Sequence, residues 1–539
     1  MSSRSEKDVI TALQASEQSR ARSLLELLAE SRADIYQGVE PGLLQKERSL
    51  RQQLNAQAAV QDNLANRRQS GGSAEIISRQ IVELMERLKE VERQIRTSSQ
   101  RYAALTQPRP LNAVEIQGLL DDRTVLLEFA FGEKHGWMWA VTPGAVASYR
   151  LPLRQDIEAA TRKFYGLLTA RQPNNKESSI KYAARIAEAD AKFQAEASAL
   201  SRMLLAPVAS KLNLEWKGKR LVIVASDALD YLPFAALPVP LVPEAGAKAA
   251  EGYHPLIADH EIVILPSASV LAAIRSESAG RRKAAGTLAI LADPVFEAND
   301  PRVVMAARKR DSRGRLGANA RSAEVSSSSP ASSPELTRSA RSFNREGFSQ
   351  LPFSRNEADV IAAFIPRTKL LKATGFKANR ATATSGELAR YRIVHFATHG
   401  LLNSEYPELS GLVLSLVGEN GAAQDGFLRM HEIYNLQLPA DVVVLSACQT
   451  ALGKEIRGEG LVGLTRGFMY AGAERVVASL WQVDDLATAE LMKRFYRGML
   501  KDGMRPAAAL RAAQIEMMKH NRWARPYFWA AFVMQGEWR

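Results

Sequence analysis

The 539-residue sequence predicts an α/β fold, a mostly parallel sheet with helices on both faces, preceded by a second α/β half and an N-terminal helical hairpin. Three observations lead there. Short β-rich runs alternate with helical patterns from Leu111 onward, the first hundred residues carry a helical pattern alone, and a Ser/Arg-rich stretch interrupts the alternating part. The expected organisation is a helical region over 1–106, a first α/β half over 107–298, a disordered basic linker over 299–350 and a second α/β half over 351–539.

Leu24, Leu25, Leu27 and Leu28 form an apolar stripe on a first helix around Ser16–Glu30, and Gly38 to Pro41 breaks the pattern. Ile77, Ile81, Leu84, Leu88, Val91 and Ile95 then recur at spacings of four and three, as a coiled-coil seam requires. Leu43, Leu50, Leu54 and Leu64 supply a facing stripe, and Arg67–Ser73 reads as the turn between the two arms. Nothing on this hairpin resembles a chemical site.

In the first half, Thr124–Ala130, Gly136–Val141, Arg220–Ala225, Glu261–Leu265 and Thr287–Ala292 read as strands, with helices over Arg154–Thr169 and Ile180–Leu204. The second half opens with a helix over Arg355–Phe364. Strands are expected at Lys369–Lys372, Arg392–Ala397, Leu412–Leu416, Asp441–Ala447 and Arg475–Trp481, and helices at Gly460–Tyr470, Asp484–Lys501 and Pro506–Lys519.

Hydrophobic residues at 46% and charged residues at 24% exclude a collagen-like, wholly disordered or disulfide-stapled chain. The net charge of +13 invites a nucleic-acid reading, but Ala306 to Arg345 carries nine basic residues against three acidic ones. A Ser-rich linker thus accounts for six of the +13, and no nucleic-acid fold accompanies it, so no nucleic-acid partner is expected. One cysteine, Cys448, allows neither an intrachain disulfide nor a Cys-rich zinc site, and no cofactor or metal is expected. No run approaches the roughly 18 apolar residues of a spanning helix, and MSSRSEKDVITALQ lacks the features of a secretion signal. A cytoplasmic protein without a membrane partner is expected.

In an open parallel sheet, function gathers at the carboxyl ends of strands. Two ends stand out. Ile393-Val394-His395-Phe396-Ala397-Thr398-His399-Gly400 is an apolar strand running into His-Gly, and Val442-Val443-Val444-Leu445-Ser446-Ala447-Cys448-Gln449 is another running into Ala-Cys. Adjacent parallel strands would bring His399 and Cys448 side by side although 49 residues separate them. The thiolate of Cys448 would attack a carbonyl, and His399 would raise the thiolate fraction and protonate the leaving amine. Gly400 leaves room for an approaching carbonyl, so its N–H and that of Cys448 are the natural oxyanion donors.

Strand–His–Gly followed by strand–Ala–Cys is similar to the pattern of caspase-like (clan CD) cysteine peptidases. More narrowly, HFATHG, LSACQTALG, GEGLVGLTRGFMYAGAERVVASLWQVDDLATAELMKRFY and PYFWAAFVMQG resemble the CHAT domain, with weaker echoes in LPFSRNEADVIAAF, SDALDYLPFAALP and LLEFAFGEKHGWMWAVT. The resemblance covers roughly Leu111 to Gly536 and implies a caspase-like second half whose catalytic residues are His399 and Cys448. It also implies an inactive, pseudo-peptidase first half, and flanking tetratricopeptide repeats that sense an activating partner. No period near 34 residues is visible here, so either that sensor was lost or the chain is a fragment of a longer one, and a partner is expected to contact the N-terminal helices. The expected protein is a bacterial, cytoplasmic cysteine endopeptidase acting on a protein substrate; a non-catalytic peptidase-fold scaffold is the alternative.

Related peptidases line the pocket for the residue before the cut bond with a segment corresponding to Ser479–Asp485, which makes Trp481, Asp484 and Asp485 candidate pocket residues. An inward Asp484 or Asp485 would select Arg or Lys, whereas Asp484 could equally cap the next helix. Arg preference would make the basic linker a candidate for self-cleavage. Gly458-x-Gly460-x-x-Gly463 satisfies the dinucleotide-binding spacing, but ten residues separate it from the preceding strand. His395 and His399, four apart, would share a face only on a helix, so His395 is expected to be a packed strand histidine rather than a metal ligand.

Overall fold

The computed structural model describes residues 6–32, 73–98, 111–173, 177–240, 252–314, 350–401, 410–446, 460–482 and 484–539, together with Phe348 and eleven positions between 40 and 57. Two long helices lie in the N-terminal region, α1 (Glu6–Arg32) and α2 (Ser73–Ser98). Ile77, Ile81, Leu84 and Val91 of α2 are buried, as is Leu50 in the helical stretch before it. Lys46 and Glu90 are close enough for the lysine to draw down the Glu90 carboxyl, although the hydrogen bond from Arg93 is the larger cause. Leu64 and all of the expected turn Arg67–Ser73 except Ser73, which opens α2, lie outside the described residues.

The strands, in chain order, are β1 (Thr124–Phe131), β2 (His135–Thr142), β3 (Ala145–Leu153), β4 (Arg220–Val224), β5 (Ile262–Leu265), β6 (Gly286–Ala292), β7 (Leu370–Thr374), β8 (Tyr391–Ala397), β9 (His399–Leu401), β10 (Gly411–Val413), β11 (Phe427–Arg429), β12 (Val442–Leu445), β13 (Arg475–Ser479) and β14 (Phe532–Gly536). Eleven form one sheet in the order β3-β2-β1-β4-β5-β14-β13-β12-β8-β6-β7. β1, β4, β5 and β14 run parallel to one another, as do β13, β12, β8, β6 and β7, while β14 and β13 pair antiparallel. The two halves therefore share one sheet but point in opposite directions. Every residue of β12, β13 and β14 is buried. Side chains alternate between faces along a strand, so helices must cover both.

Those helices include α3 (Arg154–Leu168) and α4 (Ser179–Leu205) in the first half, α5 (Ala268–Ser278) after β5, and α7 (Pro352–Ala362), α8 (Gly460–Tyr470), α9 (Asp485–Leu500) and α10 (Pro506–Met518) in the second. Between them lies α6 (Pro301–Gly314), which corrects the sequence reading, because the disordered linker was expected to begin at 299. Asp300 starts this helix: its carbonyl accepts the Val303 N–H at 2.9 Å and its carboxylate the Arg302 N–H at 2.8 Å. Arg302 then reaches Asp293 at 2.8 Å, and Val303 packs with Val295 and Val417. Residues 315–347 of the linker lie outside the described residues.

A second correction concerns Leu412–Leu416. Its strand is short, Gly411–Val413, and belongs to a separate antiparallel sheet of order β11-β10-β9. Beyond Val413 the backbone turns to other partners, Leu414 N–H to the Gly426 carbonyl and Leu416 N–H to that of Val295. Strands β3, β9, β11 and β14 were not expected from the sequence.

Candidate active site

The two strands singled out by their ends, β8 and β12, are adjacent and parallel, with Val444 opposite His395 and Leu445 opposite Phe396. Ser446 N–H extends this ladder by donating to the Phe396 carbonyl at 2.9 Å. Cys448 lies outside the described residues, so its distance to His399 is not part of the geometry. On the β8 side, Thr398 turns the chain and donates its hydroxyl to the Val413 carbonyl. His399 and Gly400 then enter β9, opposite Val413 and Leu412. The small sheet thus fixes the His-Gly pair at the carboxyl edge of β8.

Aromatic side chains flank His399. The Phe296 ring stands 5.0 Å from the imidazole and the Phe348 ring 5.6 Å, and Phe348 also meets Phe427. The loop carrying Phe296 leaves β6 through Asp293, whose φ of 52° lies in the left-handed region. A non-glycine residue holds that conformation only against other constraints. Here they are polar, since the buried Asp293 carboxylate accepts from Arg355 at 2.6 Å and pairs with Arg302 at 2.8 Å. The sequence reading ended a strand at Ala292 and gave Asp293 no role; an Asp followed by Pro just past a strand's carboxyl end was the available signal.

Behind the strand ends is a buried polar network that sequence reasoning missed. Glu357 of α7, 4% exposed, accepts a hydrogen bond from Ser446 Oγ at 3.1 Å. Its other oxygen lies 3.1 Å from His395 Nε2, and His395 Nδ1 lies 2.9 Å from the Tyr496 hydroxyl of α9. His395, expected as a packed strand histidine, is fully buried.

The three pocket candidates separate. Trp481 is 0% exposed, donates its indole N–H to the Tyr527 carbonyl at 3.1 Å and meets the Tyr165 ring edge-on at 6.0 Å. It is a core residue joining the halves, which corrects its assignment to a pocket lining. Asp484 is exposed and caps α9, accepting the Ala487 N–H at 2.9 Å. Asp485 is half-buried; burial pushes its carboxyl up to about 6, and the Asp484 and Glu357 carboxylates push the same way. Gly460 and Gly463 of the dinucleotide-like spacing sit within α8, not in a strand-to-helix turn. Among the described residues no group of three or more His, Cys, Asp or Glu is placed to hold a metal ion, and no helix is long and apolar enough to cross a membrane.

The carboxyl edge of the first half is filled differently. Helix α1 lies across it, and the buried Glu17 carboxyl accepts from the N–H groups of Ala268 and Ser269 at 2.8 and 2.9 Å, where α5 begins. Arg20 donates to the carbonyls of Phe129 and Ala225 at the ends of β1 and β4. Beside them a cavity of about 510 Å³ is lined by Arg20, Asp227, Asp230 and, from α8, Arg466. Burial pushes the Asp230 carboxyl up to about 7, against the opposing charges of Arg466 and Arg20.

Comparison with known proteins adds four likenesses. The chain is 34% identical over 113 residues to tetratricopeptide repeat protein 28 of Homo sapiens, and 34% over 105 residues to that of Mus musculus. It spans 4% of the length of each, and the match takes in 21% and 20% of this chain. Among solved structures, the Saccharomyces cerevisiae separase–securin complex aligns with a TM-score of 0.45 at 11% identity, over 98% of this chain and 40% of that one. The Arg-specific cysteine proteinase gingipain R aligns with a TM-score of 0.35 at 10% identity, over 71% and 74%. The CHAT domain family matches residues 194–537, which take in every strand from β4 to β14 and the whole of the His399 edge, and this chain belongs to that family.

Proposed function

We propose that the chain is a cysteine endopeptidase in which Cys448 is the nucleophile and His399 its general base and acid. The observation that carries this reading is the adjacency of β8 and β12, with His399 held at one carboxyl end and the chain leaving the other toward Cys448. In the reaction, His399 takes the thiol proton as Cys448 Sγ bonds to the peptide carbonyl carbon. It returns that proton to the leaving amine as the C–N bond breaks, and water then hydrolyses the thioester. The N–H groups of Gly400 and Cys448 would hold the oxyanion, and the Phe296 and Phe348 rings would shield the imidazole from water. Exposed Asp484 and half-buried Asp485 support a basic residue before the cut bond.

The N-terminal helices are the surface we assign to a protein activator. Helix α1 packs against α8, the helix that follows the segment carrying Cys448, which gives a partner on α1 a mechanical route to the site. The test is labelling with acyloxymethyl ketone probes bearing Arg, Leu or Asp, read by intact mass. A single adduct on the natural chain, absent in Cys448→Ala and much reduced in His399→Ala, is expected. Absence of an adduct with every probe, with and without a bound partner, would favour a non-catalytic scaffold.

A further inference from the structure

Glu357, His395 and Tyr496 present an unusual expense for a core. A buried carboxylate and imidazole cost several kcal/mol in desolvation, and apolar residues of the same shape would pack at less cost. Such groups are retained where one geometry matters more than stability. Three elements, α7, β8 and α9, converge on this network, and its hydroxyl partner is Ser446, the residue at which β12 leaves the sheet. Ser446 stands two residues before Cys448, and His395 four before His399. A single set of buried contacts therefore touches both β8 and the residue at which β12 ends.

We infer that Glu357, His395 and Tyr496 are positioning residues for the dyad, acting through Ser446 on the path toward Cys448 and through β8 on His399. The inference rests on the peptidase reading above. Glu357 sets the Ser446 rotamer by accepting a hydrogen bond from its hydroxyl, and the Tyr496 hydroxyl holds His395 from the far side. Tyr496 keeps its proton throughout, because burial and the Glu357 charge both push its phenol up. Among the described residues, Asp485 at the start of α9 is also close enough to feel the Glu357 charge.

Cys448 is the only cysteine in the sequence, so alkylation of the full chain by iodoacetamide reads one site by intact mass. The rate is followed against pH for the natural chain, His399→Ala, Ser446→Ala, Ser446→Thr, Glu357→Gln and Tyr496→Phe, with thermal midpoints as a folding control. The natural chain should show an inflection below that of an ordinary thiol, near pH 8.5, and His399→Ala should return it there. Ser446→Ala, Glu357→Gln and Tyr496→Phe should each raise the inflection by about one pH unit, a roughly tenfold loss of rate near neutrality, while Ser446→Thr, which keeps the hydroxyl, retains the natural profile. Folded variants with the natural profile would overturn the positioning role and leave the dyad standing. A natural profile identical to that of His399→Ala would overturn the dyad, and the positioning role with it.

Discussion

Glu17→Gln measures how α1 is held on the first half. The carboxyl is fully buried and accepts three hydrogen bonds, from Ala268 N–H at 2.8 Å, Ser269 N–H at 2.9 Å and the Ser269 hydroxyl at 2.7 Å. The two N–H groups belong to the first turn of α5, where no helical carbonyl can reach them. A glutamine keeps the shape but offers one acceptor oxygen and turns an NH₂ group toward a donor. One buried donor loses its partner, at a cost of about 1–3 kcal/mol, and the attraction between a negative charge and the helix N-terminus, about 1 kcal/mol, is lost with it. Glu128 offers no offset, because burial holds its carboxyl well above the usual range, so it keeps its proton and carries no charge to repel Glu17. The sum is about 2–4 kcal/mol, which increases the population with α1 undocked roughly 30- to 900-fold. Amide hydrogen exchange on the full chain reads it directly: peptides from residues 6–32 should exchange faster by that factor, and those covering β12 and β13 should not change. Natural exchange rates in α1 of a folded Glu17→Gln chain would refute the view that Glu17 anchors the helix.

Asp484→Asn keeps the cap on α9 and removes the charge, whereas Asp484→Ala removes both and should cost about 1 kcal/mol. Asp484→Asn should melt like the natural chain but lose part of its preference for the Arg over the Leu probe; an unchanged ratio would assign Asp484 to capping alone. In Gly411→Ala the new methyl would overlap the Leu428 carbonyl oxygen and lie 2.8 Å from Arg429 Cα. Gly411 pairs with Leu401 and Arg429, so the ladder holding His399 should open and probe labelling fall sharply while the large sheet still melts cooperatively; undiminished labelling would show that the small sheet does not hold the imidazole. Asp230 carries a folded-state pKa of about 7, above the roughly 3.9 of an unfolded aspartate. Its contribution to stability is therefore full below about pH 4 and is lost as pH rises to about 7, and Asp230→Asn should flatten the thermal midpoint across that window; parallel profiles would exclude it.

The second-half strands were legible because they are buried on both faces. IVHFA, VVVL and RVVAS read as continuous apolar runs, and each is a strand between two neighbours. α8 begins and ends as its apolar spacing indicates. β14 was hidden for the opposite reason: AAFVMQG follows the aromatic turn Pro526–Trp529, and only pairing with β13 and β5 makes it a strand. α6 was hidden by composition, since Arg302 and Val303 anchor it to Asp293 and Val295, contacts that a charge count cannot see. At the site, His399 was legible from its place after a strand. Glu357 was not, because a glutamate on an amphipathic helix reads as solvated until tertiary structure turns it toward His395. Trp481 was misplaced because proximity to a strand end does not say which face a side chain takes.

The antiparallel pairing of β14 with β13 has a consequence for how the halves communicate. Parallel strands gather their functional ends on one edge, so reversing direction at that seam places the carboxyl edge of the first half and that of the second on opposite sides of the same sheet. Any link between them must cross the sheet. α8 does so: an eleven-residue helix is about 16 Å long, it begins just beyond the segment carrying Cys448, and its Arg466 lines the first-half cavity beside Arg20 of α1. A packed helix moves as a unit rather than bending, so a displacement at Arg466 is carried to Gly460, twelve residues after Cys448 in the sequence. The charged contacts of α1, Glu17 on α5 and Arg20 on the strand-end carbonyls, therefore hold a helix that packs against α8, although they lie on the far edge of the sheet from His399.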